Sequence, residues 1–223
     1  MYEILEFKLS MVNAFLIKGE SHILVDAGLP NMYGKFIDFF NKNNIDPKDI
    51  YLIVISHNHL DHVGELEKLQ KLTGAQVAIH KKESRFLLEG KSTPVNPVTL
   101  KAKLLFKLMR KPVSVRFKSH IEVEDVMSLE HYGFKGKIIH TPGHTEGSLS
   151  ILMENGEAIV ADMITGKKKR NGFTAKLPFV AKNINENKRS LSMLVKDGAK
   201  IFYNSHGSIC NDRAVLDLIT HNE

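Results

Sequence analysis

The chain has one cysteine, Cys210, among its 223 residues. That excludes an internal disulfide and fits a reducing, cytoplasmic setting. No apolar run approaches the roughly 18 residues of a membrane-spanning helix. The opening stretch, MYEILEFKLS, carries acids and reads as a strand, so it does not look like a secretion signal. There is no repeat at a fixed period and no low-complexity tract. Acids are missing from one region: between Gly90 and Ile121 stand eight lysines or arginines and no aspartate or glutamate. With 31 bases and 25 acids in the whole chain and a net charge of +6, that region accounts for the basicity, and the remainder is close to neutral.

What is present is ordinary for a globular protein, with 43% hydrophobic and 25% charged residues. The length suits one domain, 1–223, with a basic, partly helical insertion at about 85–130. The start reads as three strands, YEILEFKL, VNAFLIKG and HILVDAG, with a turn at Gly19–Glu20. A helix follows with Phe36, Ile37, Phe39 and Phe40 on its apolar face and Asn31 as its N-cap. YLIVIS is a strand buried on both faces. HVGELEKLQKLTG is a helix that Gly74 can end, and AQVAIH is a further strand. Residues 91–118 break the regularity with STPVNP, a proline loop, and TLKAKLLFKLMRK, a basic amphipathic helix. Beyond them come KIIHTPG, then a hairpin of GSLSILM and EAIVAD turning at Asn155–Gly156. A basic loop, GKKKRNG, a helix ending at Gly198, the strand KIFYNSHG and a last helix, DRAVLDLIT, complete the chain. Strands and helices alternate in two sets, as in packed sheets with helices outside.

The stretch VISHNHLDHVGE concentrates ligand-type side chains where a strand ends. Residues two apart on an extended backbone point the same way, so His57 and His59 can address one ion. Asp61 and His62 follow in the turn that opens the helix, able to face a second point. Three later positions place a ligand type at a strand-to-loop boundary: His144 in IIHTPGHTEGS, Asp162 at the end of EAIVAD, and His206 in FYNSHGS. Singly, each has an ordinary structural explanation. Together they make five histidines and two aspartates, and strand ends that share one edge of a sheet converge on one crevice.

HNHLDH, TPGHTEGS, IVADMITG and NSHG, with LVDAG before them, resemble the metallo-β-lactamase superfamily from about residue 12 to 210. The resemblance implies a four-layer αββα sandwich of the α/β class with a dinuclear centre at one edge. It implies that His57, His59 and His144 bind a first metal, that Asp61, His62 and His206 bind a second, and that Asp162 bridges them. Asp26 of LVDAG would orient ligands from behind, or else simply form the turn before Gly28. Imidazoles and carboxylates without thiolate suit two Zn²⁺, with Fe or Mn as alternatives. Such a pair would ready a bridging hydroxide for attack on an acyl or phosphoryl centre, with Asp61 as the catalytic residue that orients it and passes its proton on.

TPGHTEGS is most similar to the hydroxyacylglutathione hydrolase branch, which implies hydrolysis of a small ester, thioester or lactone. The helical extension with which those enzymes grip glutathione has no counterpart in the seventeen residues after His206. Residues 85–130 match nothing in the family. Lys101, Lys103 and Lys107 in the basic segment are candidate contacts for a small, anionic substrate such as a CoA-type thioester, as a lid over the metals. The alternatives are a helix packed on its own domain and one resting on an anionic membrane surface. A mononuclear iron persulfide dioxygenase, using His57, His144 and Asp162, is a second reading, although GKKKRNGFTAK stands where those relatives carry Arg-Thr-Asp. A phosphodiesterase is a third, but nothing after Asp162 is large enough for a nuclease insert, and nucleic acid is not expected as a partner. A non-catalytic binding protein fits least, because all seven positions are filled. Oligomeric state is left open.

Overall fold

The computed structural model describes residues 2–98, 103, 114–170 and 172–221. One sheet takes β1 (Glu3–Leu9), β2 (Val12–Lys18), β3 (His22–Val25), β4 (Ile50–Val54), β5 (Gln76–His80) and β7 (Ile121–Val123) in that order. Its first three strands are antiparallel, and β3, β4, β5 and β7 run parallel. Two-residue strands β6 (Asn96–Pro97) and β13 (Val180–Ala181) pair only with each other. The other sheet is ordered β15 (Cys210–Asn211), β14 (Ile201–Gly207), β11 (Glu157–Lys169), β10 (Leu149–Met153), β9 (Gly136–His140) and β8 (Val126–Ser128), with β12 (Gly172–Lys176) paired to β11.

Strand alternation sorts the apolar side chains into layers. Leu52 and Val54 of β4 face the second sheet, while Ile53 and the following Ile55 face outward, the two-residue period of extended backbone. Phe15 and Ile17 against Ala14 and Leu16 in β2 repeat the pattern. Three buried clusters result. One lies between the sheets. Another lies under α1 (Tyr33–Lys42), α2 (Leu60–Val63), α3 (Leu66–Thr73) and α4 (Lys81–Glu89), filled by Phe36, Phe40, Val63, Leu66, Leu69 and Leu87. The last lies between the second sheet and α5 (Ile184–Lys196) and α6 (Asp212–His221), with Leu191, Leu194, Val215 and Leu218. Three cores separate four layers, the αββα sandwich expected. Each fully buried large apolar side chain contributes roughly 1.5–3 kcal/mol, which makes the sheets a rigid mount for loops at their edge.

Several local expectations change. Asn31 does not cap α1: it takes a left-handed conformation (φ 67°), and the helix begins after Met32, whose N–H is taken by Glu65 Oε1 at 2.9 Å. The helix read over HVGELEKLQKLTG is two helices, α2 and α3. A Cβ at Gly64 would lie 2.2–2.5 Å from Leu29 and Pro30, so the chain breaks where it packs against that loop. The stretch read as a basic loop is largely strand, because β11 continues to Lys169 and pairs with β12 from Gly172 onward. Asp162 therefore lies within a strand. There Ala161 adopts φ 46° and the ladder to β14 slips on both sides of it, an irregularity that re-aims the following side chain. Residues 121–128 supply an edge strand to each sheet. Lys101, Lys107 and nearly all of the basic helix lie outside the described residues; Lys103 is helical and exposed. No described helix is long and apolar enough to cross a membrane.

Candidate metal centre

The loops that leave β4 and β9 meet the irregular part of β11 and the end of β14 at one edge of the sandwich. Asn13 Nδ2 donates to the carbonyls of Asn204 and Gly207, and Leu149 N–H donates to the Ser56 carbonyl, so both sheets are tied together there. All seven expected positions come together in two groups. His57, His59 and His144 offer atoms within 4.8 Å of one another, and so do Asp61, His62, Asp162 and His206. Asp162 touches both groups. Its Oδ2 is 3.6 Å from His144 Nε2, 4.0 Å from His57 Nε2 and 3.2 Å from His206 Nε2, and its Oδ1 is 3.3 Å from His62 Nε2. Asp61 Oδ2 lies 3.4 Å from His206 Nε2.

The far side of every ring fixes which nitrogen faces the centre. His144 Nδ1 donates to the Val180 carbonyl at 2.9 Å, His59 Nε2 to the Thr93 carbonyl at 3.1 Å, and His206 Nδ1 to the Met11 carbonyl at 2.8 Å. His62 Nδ1 donates to Asp26 Oδ2 at 2.8 Å. Ser56 Oγ spends its hydrogen on Asp26 Oδ2, so it accepts from His57 Nδ1 at 3.0 Å. Carbonyls and carboxylates only accept, so each outer nitrogen carries hydrogen and each ring presents its other nitrogen inward. Asp26, also bonded to Ser56 N–H, thus stands behind both His62 and His57. It orients ligand-type rings besides making the turn before Gly28.

The two groups differ in charge. Burial, reinforced by neighbouring imidazoles, holds His57 well below the ordinary histidine value; burial lowers His59, and brings His144 down to about 4. These rings are neutral, and their inner nitrogens are bare lone pairs. In the other group burial opposes charge on His62, but Asp61, Asp26 and Asp162 overcome it and raise its pKa well above the usual value. Burial likewise opposes charge on His206, yet Asp162 and Asp61 lift it to about 10. Burial works against ionisation of Asp61 and Asp162 too, and His62 with His206 outweighs it, leaving Asp61 at about 2 and Asp162 well below the carboxylate range.

This donor set fits divalent cations. His144 Nε2 lies 3.1 Å from His57 Nε2 and 3.2 Å from His59 Nδ1. With no hydrogen between them, such lone pairs repel, whereas tetrahedral zinc–nitrogen bonds of about 2.0–2.1 Å put nitrogens about 3.3 Å apart. His62 Nε2 and Asp162 Oδ1 are buried and face each other without hydrogen-bond geometry to any group, the kind of orphaned pair an ion satisfies. His57, His62 and His144 are sealed off, while Asp61 and His206 are 30% and 33% exposed, so the opening lies on their side.

Several contributors had no motif to mark them. Ser56 precedes His57 with nothing unusual around it. Glu83, fully buried, had one sequence signal: it stands four residues before buried Leu87, on the inward stripe of α4.

Comparison with known proteins gives a consistent result. The profile of the family described as "Metallo-beta-lactamase superfamily" matches residues 8–206. A "probable metallo-hydrolase" of Methanocaldococcus jannaschii is 34% identical over 143 residues, 64% of this chain and 63% of that protein. A hydroxyacylglutathione hydrolase of Shewanella pealeana is 28% identical over 103 residues, 46% of this chain and 29% of that protein. The chain therefore matches less than two thirds of the length of these curated relatives. Among solved structures, a metallo-beta-lactamase family protein of Thermus thermophilus superposes with a TM-score of 0.71 at 21% identity, over 99% of this chain and 78% of that one.

Proposed function

The chain belongs to the metallo-beta-lactamase superfamily, and we propose that it is a hydrolase of a small ester, thioester or lactone that works with a dinuclear, zinc-type centre. The observation that carries this reading is the set of five imidazoles whose outer nitrogens are all engaged, leaving the inner ones to converge with two carboxylates. His57 Nε2, His59 Nδ1 and His144 Nε2 would hold one cation. Asp61, His62 and His206 would hold the other, with Asp162 between them. When bound, such a pair lowers the pKa of a shared water far enough to make a nucleophile near neutral pH and polarises the oxygen of the group under attack.

The chain's own residues do the remainder. Asp61, ionised and at the opening, would orient the attacking water beside the centre. His57, His62 and His144 keep bulk water from the inner side. No serine or cysteine nucleophile is required, and Cys210 is buried in the third core, where burial raises its thiol to about 11. The similarity to a hydroxyacylglutathione hydrolase over part of the chain supports acyl transfer to water. An anionic substrate is supported by the basic segment that holds Lys101, Lys103 and Lys107. The persulfide dioxygenase alternative would use three of the seven groups and leave Asp61, His62 and His206 without a task. The test is a screen of zinc-loaded protein against thioesters, lactones and phosphodiesters beside His59→Ala. Hydrolysis of an acyl substrate should fall on the order of a thousandfold in kcat/KM in the variant. Activity unaffected by that change, or confined to phosphodiesters, would defeat this reading.

A further inference from the structure

Glu83 Oε2 accepts from the backbone N–H of Asn58 at 2.9 Å and from the Thr93 hydroxyl, and its Oε1 accepts from Gly147 N–H at 3.1 Å. The three donors belong to three separate chain segments: two carry the histidines of the first group, and the third carries the carbonyl that holds one of their rings. Asn58 lies between His57 and His59. Thr93 offers the carbonyl that fixes the His59 ring, and its N–H returns to the Asn58 carbonyl at 3.2 Å. Gly147 closes the short loop that begins at His144. The loop passes so near the carboxylate that a Cβ at Gly147 would fall 2.6 Å from Glu83 Cγ and 2.8 Å from His80 Nδ1. This explains the second glycine in TPGHTEGS.

A fully buried carboxylate is costly unless hydrogen bonds surround it. Here the bonds come from no element of its own helix but from the loops that must stay in register. A methionine or leucine at this position would fill the space and hold none of them. We propose that Glu83 is a positioning residue that sets the spacing of His57, His59 and His144 from behind, on the side away from the cation. This rests on the metal reading above, and it adds a determinant of the first group alone. Among the residues Glu83 bonds to, none is in the Asp61, His62, Asp162 and His206 group.

Glu83→Gln is close to isosteric but turns one acceptor into a donor, so a buried N–H of Asn58 or Gly147 loses its partner. The experiment titrates metal-free, full-length protein with Zn²⁺ alone against a chromophoric chelator and resolves two binding steps. His144→Ala identifies the step that belongs to the three-histidine group. Glu83→Gln should weaken that step by about ten- to a hundredfold and leave the other within about twofold, with an altered Co²⁺ absorption spectrum at the same step. Thr73→Ala, which removes a buried hydroxyl bonded to Leu69 O and Ala75 N far along α3, is the control. It should lower Tm and change neither step. If Glu83→Gln lowers Tm but binds Zn²⁺ like wild type, or weakens both steps equally, the residue is merely structural and the proposal falls. Should that variant not fold, Thr93→Val removes one donor and should weaken the same step by a smaller factor; no change there also overturns the proposal. Wild-type protein that takes up no Zn²⁺ would instead overturn the metal reading on which it rests.

Discussion

His57, His59 and His144 form a neutral pocket backed by two peptide carbonyls and a serine, whereas Asp61, His62, Asp162 and His206 form a charged, partly open one backed by a carboxylate and a hairpin turn. In the first, burial has already removed the protons that would compete with a cation. In the second, the carboxylates keep a proton on His62 and on His206 that a cation must displace. On the dinuclear reading proposed above, the two groups would be prepared for a cation by opposite electrostatic routes. The first owes its readiness to desolvation and the second to charge.

The sharpest way to break this contrast is to remove one ring from each side. His144→Ala should leave the pocket without its shared nitrogen and reduce hydrolysis on the order of a thousandfold, with bound zinc falling below one per chain. His206→Ala removes an exposed ring from the wetter side, so one tightly held zinc should remain, and the loss in kcat/KM should be smaller. Metal analysis beside kinetics checks both, and equal loss of zinc in the two variants would contradict the asymmetry.

Asp26→Asn tests the backing of the charged side. Asn keeps one acceptor where Asp26 serves Ser56 N–H, Ser56 Oγ–H and His62 Nδ1–H. The His62 ring loses its fixed orientation, and the affinity of the second binding step should fall about ten- to a hundredfold. Ser56→Ala removes the acceptor of His57 and one of the donors to Asp26 but leaves the Asp26–His62 bond, so it should weaken the first step more than the second, and by a smaller factor than Asp26→Asn weakens the second.

Acidity should separate the two sides as well. His62 and His206 have raised values, so they are protonated at neutral pH and lose the proton only on alkaline titration or on metal uptake. Binding at that side should therefore strengthen as pH rises from 6.5 to 8.5, by up to about tenfold per unit for each proton released. The three-histidine side, whose rings titrate below 6.5, should change little over the same interval. Zinc titrations at the two pH values measure this, and parallel slopes would show that the sides are not electrostatically distinct.

Much of this was legible from residue order because it depends on local periodicity. Apolar runs of strand length assign HILV and YLIVI, and the turn at Asn155–Gly156 pairs GSLSILM with EAIVAD, while Gly74 ends α3 with φ 75° as its position after the apolar stripe predicts. The seven ligand types were legible because so many imidazoles and carboxylates at strand ends are hard to explain otherwise. Asp162 was read at a strand end, whereas it is turned inward by an irregularity inside β11 that no local pattern announces. Asn31 looked like a cap, but α1 begins after Met32 with no side-chain cap, and Glu65, much later in the chain, holds the Met32 N–H.

By itself the sequence determined which side chains gather and on what kind of backbone, since ligand chemistry and strand or helix period are properties of neighbours along the chain. Only the tertiary structure decided which nitrogen of each ring faces inward, because that choice is made by acceptors far away in the chain: Val180 for His144, Thr93 for His59, Met11 for His206 and Asp26 for His62. The same holds for Glu83, whose donors come from positions 58, 93 and 147. A buried hydrogen bond exists only once both partners have been carried out of water to the same place, and packing alone determines where that is.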